Sequence, residues 1–117
     1  MLPRKNRLSL RTELHRIQKE GKIYHSPFFG LLVNKRSEIK DQRLESRFGL
    51  IVSKKVHKRA VKRNRVKRLL RESVRLLLPK VKPGFDAVFL TKKKILEEDF
   101  SAVSQTVSRV FEEAGIL

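Results

Sequence analysis

"AVKRNRVKRLLRE", residues 60 to 72, carries six lysines and arginines and a single acid, Glu72, at its end. Projected at about 100° per residue, Val66, Leu69, Leu70, Val74 and Leu77 fall on one side of a helix. Asn64, Lys67, Arg68, Arg71 and Arg75 fall on the other. The spacing predicts a helix running to Leu78, where "PKVKPG" breaks it with two prolines and a glycine. One side must dock on other structure, while the opposite side offers cations three and four residues apart, close enough to meet successive phosphates. Between Lys54 and Arg75, eleven of 22 residues are Lys or Arg and only Glu72 is acidic, so the helix cannot neutralise its own stripe. A charge run on a helix is ordinarily a solvated face. Here the missing counter-charge points to an external anion.

On either side of this helix lie short apolar runs. "SRFGLIVS" (46–53) and "PFFGLLVN" (27–34) are rich in branched and aromatic residues and read as strands with much of both faces covered. "FDAVFLT" (85–91) reads as the last strand, and "KIYH" (22–25) as a shorter one. "KRSEIKDQRLE" (35–45) reads as a polar loop. "SLRTELHRIQKEG" (9–21) places Leu10, Leu14 and Ile17 on one helical face, with Ser9 as N-cap and Gly21 as stop. From about Glu98, the spacing of Phe100, Val103, Val107, Val110 and Ala114 marks a closing helix that Gly115 ends. Residues 1–8, with "PRKNR", form a flexible basic arm. The order helix, strands, helix, strand, helix predicts an α+β two-layer sandwich with a sheet of about four strands.

At 117 residues the chain fits one domain with a single core. Its formal net charge of +17 is a self-repulsion that a compact domain carries more easily beside a polyanion, best supplied by nucleic acid. Basic patches also bind anionic lipid, but no segment has the run of apolar residues a membrane span needs, and the N-terminus lacks the apolar stretch of a secretory signal. Cysteine is absent, which removes disulfides, thiolate metal sites and a thiol nucleophile together and fits a reducing, cytoplasmic setting. A DNA reading lacks the second helix of a helix-turn-helix, zinc ligands and a heptad dimer, so RNA is favoured. A protein nuclease would need convergent acid and base groups, yet His15, His25 and His57 fall on a helix, a strand and a linker. Asp86 sits in a strand, Glu97, Glu98 and Asp99 suit the start of the last helix, and no spacing marks a protein metal site or catalytic residue. Arg63 and Arg65 can make forked contacts with phosphate, while the Asn64 amide suits a base edge, a ribose hydroxyl or nearby backbone. On composition alone, a ribosomal protein or general RNA chaperone of similar fold is the alternative.

The combination "FGLIVSKKVHKRAVKRNRVKRLLRE", a strand ending in Ser-Lys-Lys, a basic link and an Arg-Asn-Arg helix, resembles the signature of the bacterial ribonuclease P protein family. The likeness runs from "NRL" through "FDAVFLT" to "VSRVFEEAGIL". It implies a protein subunit that assembles with a catalytic RNA to remove the 5′ leader of precursor tRNA, with chemistry residing in the RNA and its Mg²⁺. No organic cofactor, membrane or obligate protein partner is implied. The implied contacts to the catalytic RNA are Lys54, Lys55, Arg63, Asn64, Arg65, Lys67, Arg68 and Arg71, to which the basic run adds Lys58, Arg59, Lys62 and Arg75. A left-handed crossover between strands is implied too, against the usual right-handed rule. A second surface, a cleft between the first helix and the sheet, would hold the leader through Leu14, Gln18 and Leu32, with Arg11 and Arg47 as cations. None of the three cleft positions is aromatic, where relatives often stack a base. Core packing is the simpler reading of Leu14 and Leu32. Phe28, Phe29, Phe48 and Tyr24 are the other aromatics within reach. The linker "KVHKRAV" departs from relatives in lacking a glycine and in being one residue longer.

Overall fold

Apolar runs covered on both faces belong in the middle of a sheet, and the two longest take those places. The computed structural model describes residues 2–35 and 45–117; residues 36–44, most of the expected polar loop, lie outside the described residues. In chain order the elements are α1 (Leu10–Glu20), β1 (Lys22–His25), β2 (Phe29–Lys35), β3 (Arg47–Ile51), α2 (Ala60–Leu77), β4 (Phe85–Thr91) and α3 (Phe100–Glu113). The four strands form one sheet in the order β1-β2-β4-β3. β2 and β4 occupy the centre and pair antiparallel, with Leu31 opposite Phe89 and Leu32 opposite Val88. β3 runs parallel to β4, and α2 is the crossover that joins them.

Alternation along the strands builds two apolar layers. Phe29, Leu31, Val33, Phe48, Ala87 and Phe89 meet Val66, Leu70 and Val74 of α2 and Val103, Val107, Val110 and Phe111 of α3 in the main core. Phe29 meets Phe89 edge-on at 5.0 Å between ring centroids, and Phe48 stacks on Phe111 at 5.5 Å. The intervening residues Leu32 and Val88 face the other way, where they are buried with Leu8 and with Ile17 of α1. Helices therefore cover both faces, and the expected two-layer sandwich gains a third, partial layer from α1.

The arm is the main correction. Residues 2–8, expected as a flexible arm, are anchored: Leu2, Asn6 and Leu8 are buried, and Arg4–Asn6 form a turn of 3₁₀ helix. The Asn6 side-chain amide donates to the Ser46 carbonyl at 2.9 Å, and the Leu8 amide donates to the Phe48 carbonyl at 2.9 Å. Apolar residues at positions 2 and 8 outweigh the intervening charge, because each gains core contacts while the basic side chains stay in water.

Helix ends follow local chemistry. α2 stops at Leu77 and a 3₁₀ turn (Leu78–Lys80) carries Pro79 out of it. Asp99, expected at the start of the last helix with Glu97 and Glu98, is its N-cap and accepts from the Ala102 amide at 2.9 Å, whereas Glu97 ends a separate 3₁₀ stretch (Lys93–Glu97). At the other end Gly115 has φ +76°, and the Ile116 and Gly115 amides reach back to the Phe111 and Glu112 carbonyls. This closure needs a left-handed residue, which glycine supplies without a Cβ penalty. Ser9 stands at the N-cap of α1 as expected but makes no side-chain cap bond.

Candidate nucleic-acid interface

The strand-to-helix linker is held from both ends before any cation faces outward. Val56 is buried, and its amide donates to the Ser53 carbonyl at 3.0 Å. At the far end Nη1 of Arg63 donates to the carbonyls of His57 (2.8 Å) and Lys58 (2.7 Å), while the Arg59 amide donates to Nδ1 of His57 at 2.9 Å. Arg65 donates through Nη2 to the Glu98 carbonyl at 3.1 Å and ties α2 to the start of α3. Arg63 and Arg65, read from sequence as phosphate contacts, therefore also spend donors on the protein's own backbone. His57 orders the linker in the same way.

What remains exposed is cationic. Lys54, Lys55, Lys58, Arg59, Lys62, Arg68, Arg71 and Arg75 are exposed with Asn64, whereas Arg63, Arg65 and Lys67 are half-buried. Arg75 is the member with an acid beside it: its guanidinium donates to both carboxylate oxygens of Glu72, through Nε at 3.0 Å and through Nη2. The first turn of α2 contains no acid, so the positive end of the helix dipole adds to the surrounding lysines rather than being offset. Val61, 73% exposed, stands among them as an apolar spot. Lys93 lines a hollow of about 410 Å³ with Lys54, Lys55, Lys58 and Arg59. Sequence reading missed Lys93, though the lysine run 92–94 after β4 is a visible signal.

The α1 face has a different character. Leu32 is buried and Leu14 half-buried against the cluster around Ile17, so both serve as core there, while Arg11 and Gln18 are exposed on the helix. Ile23 and His25 of β1, both exposed, share this face: they pair with Leu32 and Gly30, and a Cβ added to Gly30 would meet Ile23 Cδ1 at 3.2 Å and His25 Nδ1 at 3.8 Å. The alternation of "KIYH" contained that placement, since Tyr24 takes the opposite face with the main core. Phe29 and Phe48 are buried in that core and Phe28 packs on it, so none of these aromatics lies beside α1.

Arg47 is the largest departure from expectation. It donates through Nε and Nη2 to the two oxygens of Asp86, both at 2.8 Å, and Arg16 of α1 donates to the same carboxylate at 2.8 Å and to Glu13 at 2.9 Å. Asp86 is fully buried, so two guanidinium groups converge on one dry carboxylate. Its hydrogen bonds are the first cause that pushes both arginines further up from their ordinary range. Arg16 thus ties α1 to the sheet through Asp86, and Arg47 spends Nε and Nη2 inside the protein. Among the described residues no three His, Cys, Asp or Glu side chains gather into a group that could hold a metal ion.

This fold and sequence are similar to those of proteins of known class. The family model described as Ribonuclease P matches residues 2–115. The chain belongs to the ribonuclease P protein family. It is 34% identical to the ribonuclease P protein component of Cyanothece sp. across all of this chain and 98% of that one. It is 36% identical to that of Clostridium perfringens across 93% and 90%. The ribonuclease P protein of Thermotoga maritima superposes with a TM-score of 0.79 at 32% identity, covering 92% of this chain and 96% of that one. The Staphylococcus aureus protein shares the fold at a TM-score of 0.81 and 22% identity. As a family member the chain is the protein subunit of an endoribonuclease assembly with an RNA partner. In this ribonuclease P protein the Arg-Asn-Arg run opens α2, and the Ser-Lys-Lys stretch forms the approach to it.

Proposed function

We propose that this chain binds the catalytic RNA of ribonuclease P through its linker and the outer face of α2, and the 5′ leader of precursor tRNA alongside α1. The observation that carries the proposal is the row of exposed cations from Lys54 to Arg71, a stretch that contains no acid; the next residue, Glu72, is paired with Arg75. A fixed row of cations displaces condensed counterions from an RNA backbone and gains their release entropy. The assembly then needs less Mg²⁺ to hold its fold, and the chemistry and its Mg²⁺ belong to the RNA. Asn64, exposed between the two anchored arginines, supplies an amide that can donate and accept at a ribose or base edge.

The leader surface rests on Arg11, Gln18, Ile23 and His25, which surround the exposed side of α1 and the β1 edge. A phosphate chain met by Arg11, with a base lying on Ile23 or His25, needs neither Leu32 nor Arg47, which the protein uses internally. Such an assembly works in the cytoplasm. Among the described residues no helix is long and apolar enough to cross a membrane.

The test is multiple-turnover cleavage of a precursor tRNA at low Mg²⁺ by a bacterial ribonuclease P RNA, with and without the protein, beside a protein-only control. Stimulation with a silent control is the expected outcome. Equal turnover with and without protein on a matched RNA would overturn the subunit reading, and cleavage by protein alone would overturn the assignment of chemistry to RNA.

A further inference from the structure

Among the described residues β3 is an edge strand, with β4 on one side only. The anchored N-terminal segment pairs with its free edge at a single bridge, Arg7 with Phe48. Backbone groups two residues apart in a strand face the same edge, so those of Leu50 face outward just beyond this bridge. There the edge opens into a hollow of about 380 Å³ between the N-terminal segment, β3 and α2. Its walls include Leu8, Leu10 and Leu50, and its rim carries Arg7, Lys67 and Arg71. The hollow is at the small end of the size range of ligand sites, roughly 300 to 1,000 Å³. It has room for one nucleotide unit and none for a duplex.

The three cations arrive from two separate elements. Lys67 and Arg71 lie one turn apart on α2, and Arg7 is steered from the N-terminal segment by an Nε hydrogen bond to the Leu2 carbonyl at 3.0 Å. None of the three has an acidic partner among the salt bridges of the described residues. An apolar hollow ringed by cations that have no acidic partner among the described residues, and floored by a strand edge, matches an unpaired nucleotide. Its phosphate would meet the guanidinium groups, its base the leucines, and its polar edge the backbone. We propose that this hollow receives one unpaired nucleotide of the RNA that α2 binds. The inference rests on the reading of α2 as the RNA-facing helix, because Lys67 and Arg71 belong to both surfaces.

Two measurements test it. Arg7→Ala should weaken binding to ribonuclease P RNA by about tenfold and make the dependence of log K on log salt shallower by roughly 0.7 to 0.9. Arg68→Ala, on α2 outside the hollow, reports on the helix alone. If Arg68→Ala weakens binding and Arg7→Ala does not, the hollow is overturned and the α2 reading stands. If neither matters, both fall. The chain has no cysteine, so Ser9→Cys places a unique thiol beside Leu8 and Leu10 at an exposed cap position that makes no side-chain bond. A short photo-crosslinker on that thiol should join one unpaired nucleotide of the assembled RNA. Crosslinks to base-paired or scattered positions, or to precursor tRNA instead, would overturn the proposal even if Arg7→Ala had merely loosened the N-terminal segment.

Discussion

Asp86 shows how much a single buried carboxylate can organise. With no exposure of its own, it is reached by Arg16 from α1 and Arg47 from β3, whose side chains are 36% and 28% exposed. Breaking a buried pair by removing one partner costs about 3 to 5 kcal/mol. The arginines here can turn toward water, so Asp86→Asn is expected near the lower end, about 3 kcal/mol, against a total stability of roughly 5 to 15. Urea unfolding followed by circular dichroism measures it, and an unchanged midpoint would show that the clamp does not hold α1 down. Glu72 is expected to work in the opposite direction, by holding Arg75 back from RNA. Its carboxyl is held below the ordinary range first by the hydrogen bond from Arg75, so the pair favours the fold above that range and is lost on acidification. Glu72→Gln leaves Arg75 on the α2 surface without that acid. RNA affinity should rise about two- to fivefold at low salt and converge with the parent at high salt, because an exposed ion pair contributes little to the fold and the new contact is screened. A filter-binding titration across salt concentrations decides it. Neither role was legible in the sequence: alternation places Asp86 in a strand but cannot say which cations fold back onto it from 39 and 70 residues away.

At the scale of elements, the junction between α1 and β1 is the tightest joint. Gly21 has φ −81°, open to any residue, so its role is close approach. A Cβ there would lie 2.5 Å from the Ile17 carbonyl oxygen and 3.1 Å from that of Val33. Both obstacles are backbone, which yields only by moving the helix. Overpacking of this kind costs about 1 to 3 kcal/mol, and Gly21→Ala is expected to lower the melting temperature accordingly; an unshifted Tm in calorimetry would show that the joint can relax. The existence and order of the regular elements were legible from periodicity, since β1 and β4 match the quoted runs and α1, α2 and α3 follow their apolar stripes. Less legible was everything set by partners distant in sequence. The docking of residues 2–8 depends on Ser46 and Phe48, and the 3₁₀ stretch at Lys93–Glu97 is pinned by the buried Ile95. The cationic stripe itself was plain in the residue count. The backbone bonds that anchor Arg63 and Arg65 were not, because they depend on how the linker turns.

Across the whole molecule the sheet acts as a partition. α2 and α3 pack on the face that carries Leu31 and Phe89, and α1 packs on the face that carries Leu32 and Val88. A ligand on the outer side of α2 and a ligand beside α1 are therefore separated by the thickness of the sheet and its core. They can be occupied together without sharing a side chain. That separation suits the proposed function, in which the subunit stays on one RNA while another is admitted and released. It also gives a test in which the two surfaces should respond independently. Gln18 is exposed on α1, away from the cluster around Ile17, so Gln18→Ala removes a donor and acceptor without opening the core. Its affinity for ribonuclease P RNA should be unchanged. The assembled complex should bind precursor tRNA about two- to tenfold more weakly, as expected for one lost hydrogen bond of ordinary strength. Binding of mature tRNA, which has no leader, should not move. The three affinities can be measured by fluorescence anisotropy on the same preparation. A drop in assembly itself would mean that the Gln18 face of α1 touches the catalytic RNA and that the sheet does not divide the two tasks. An equal loss for precursor and mature tRNA would place Gln18 against the tRNA body instead of the leader.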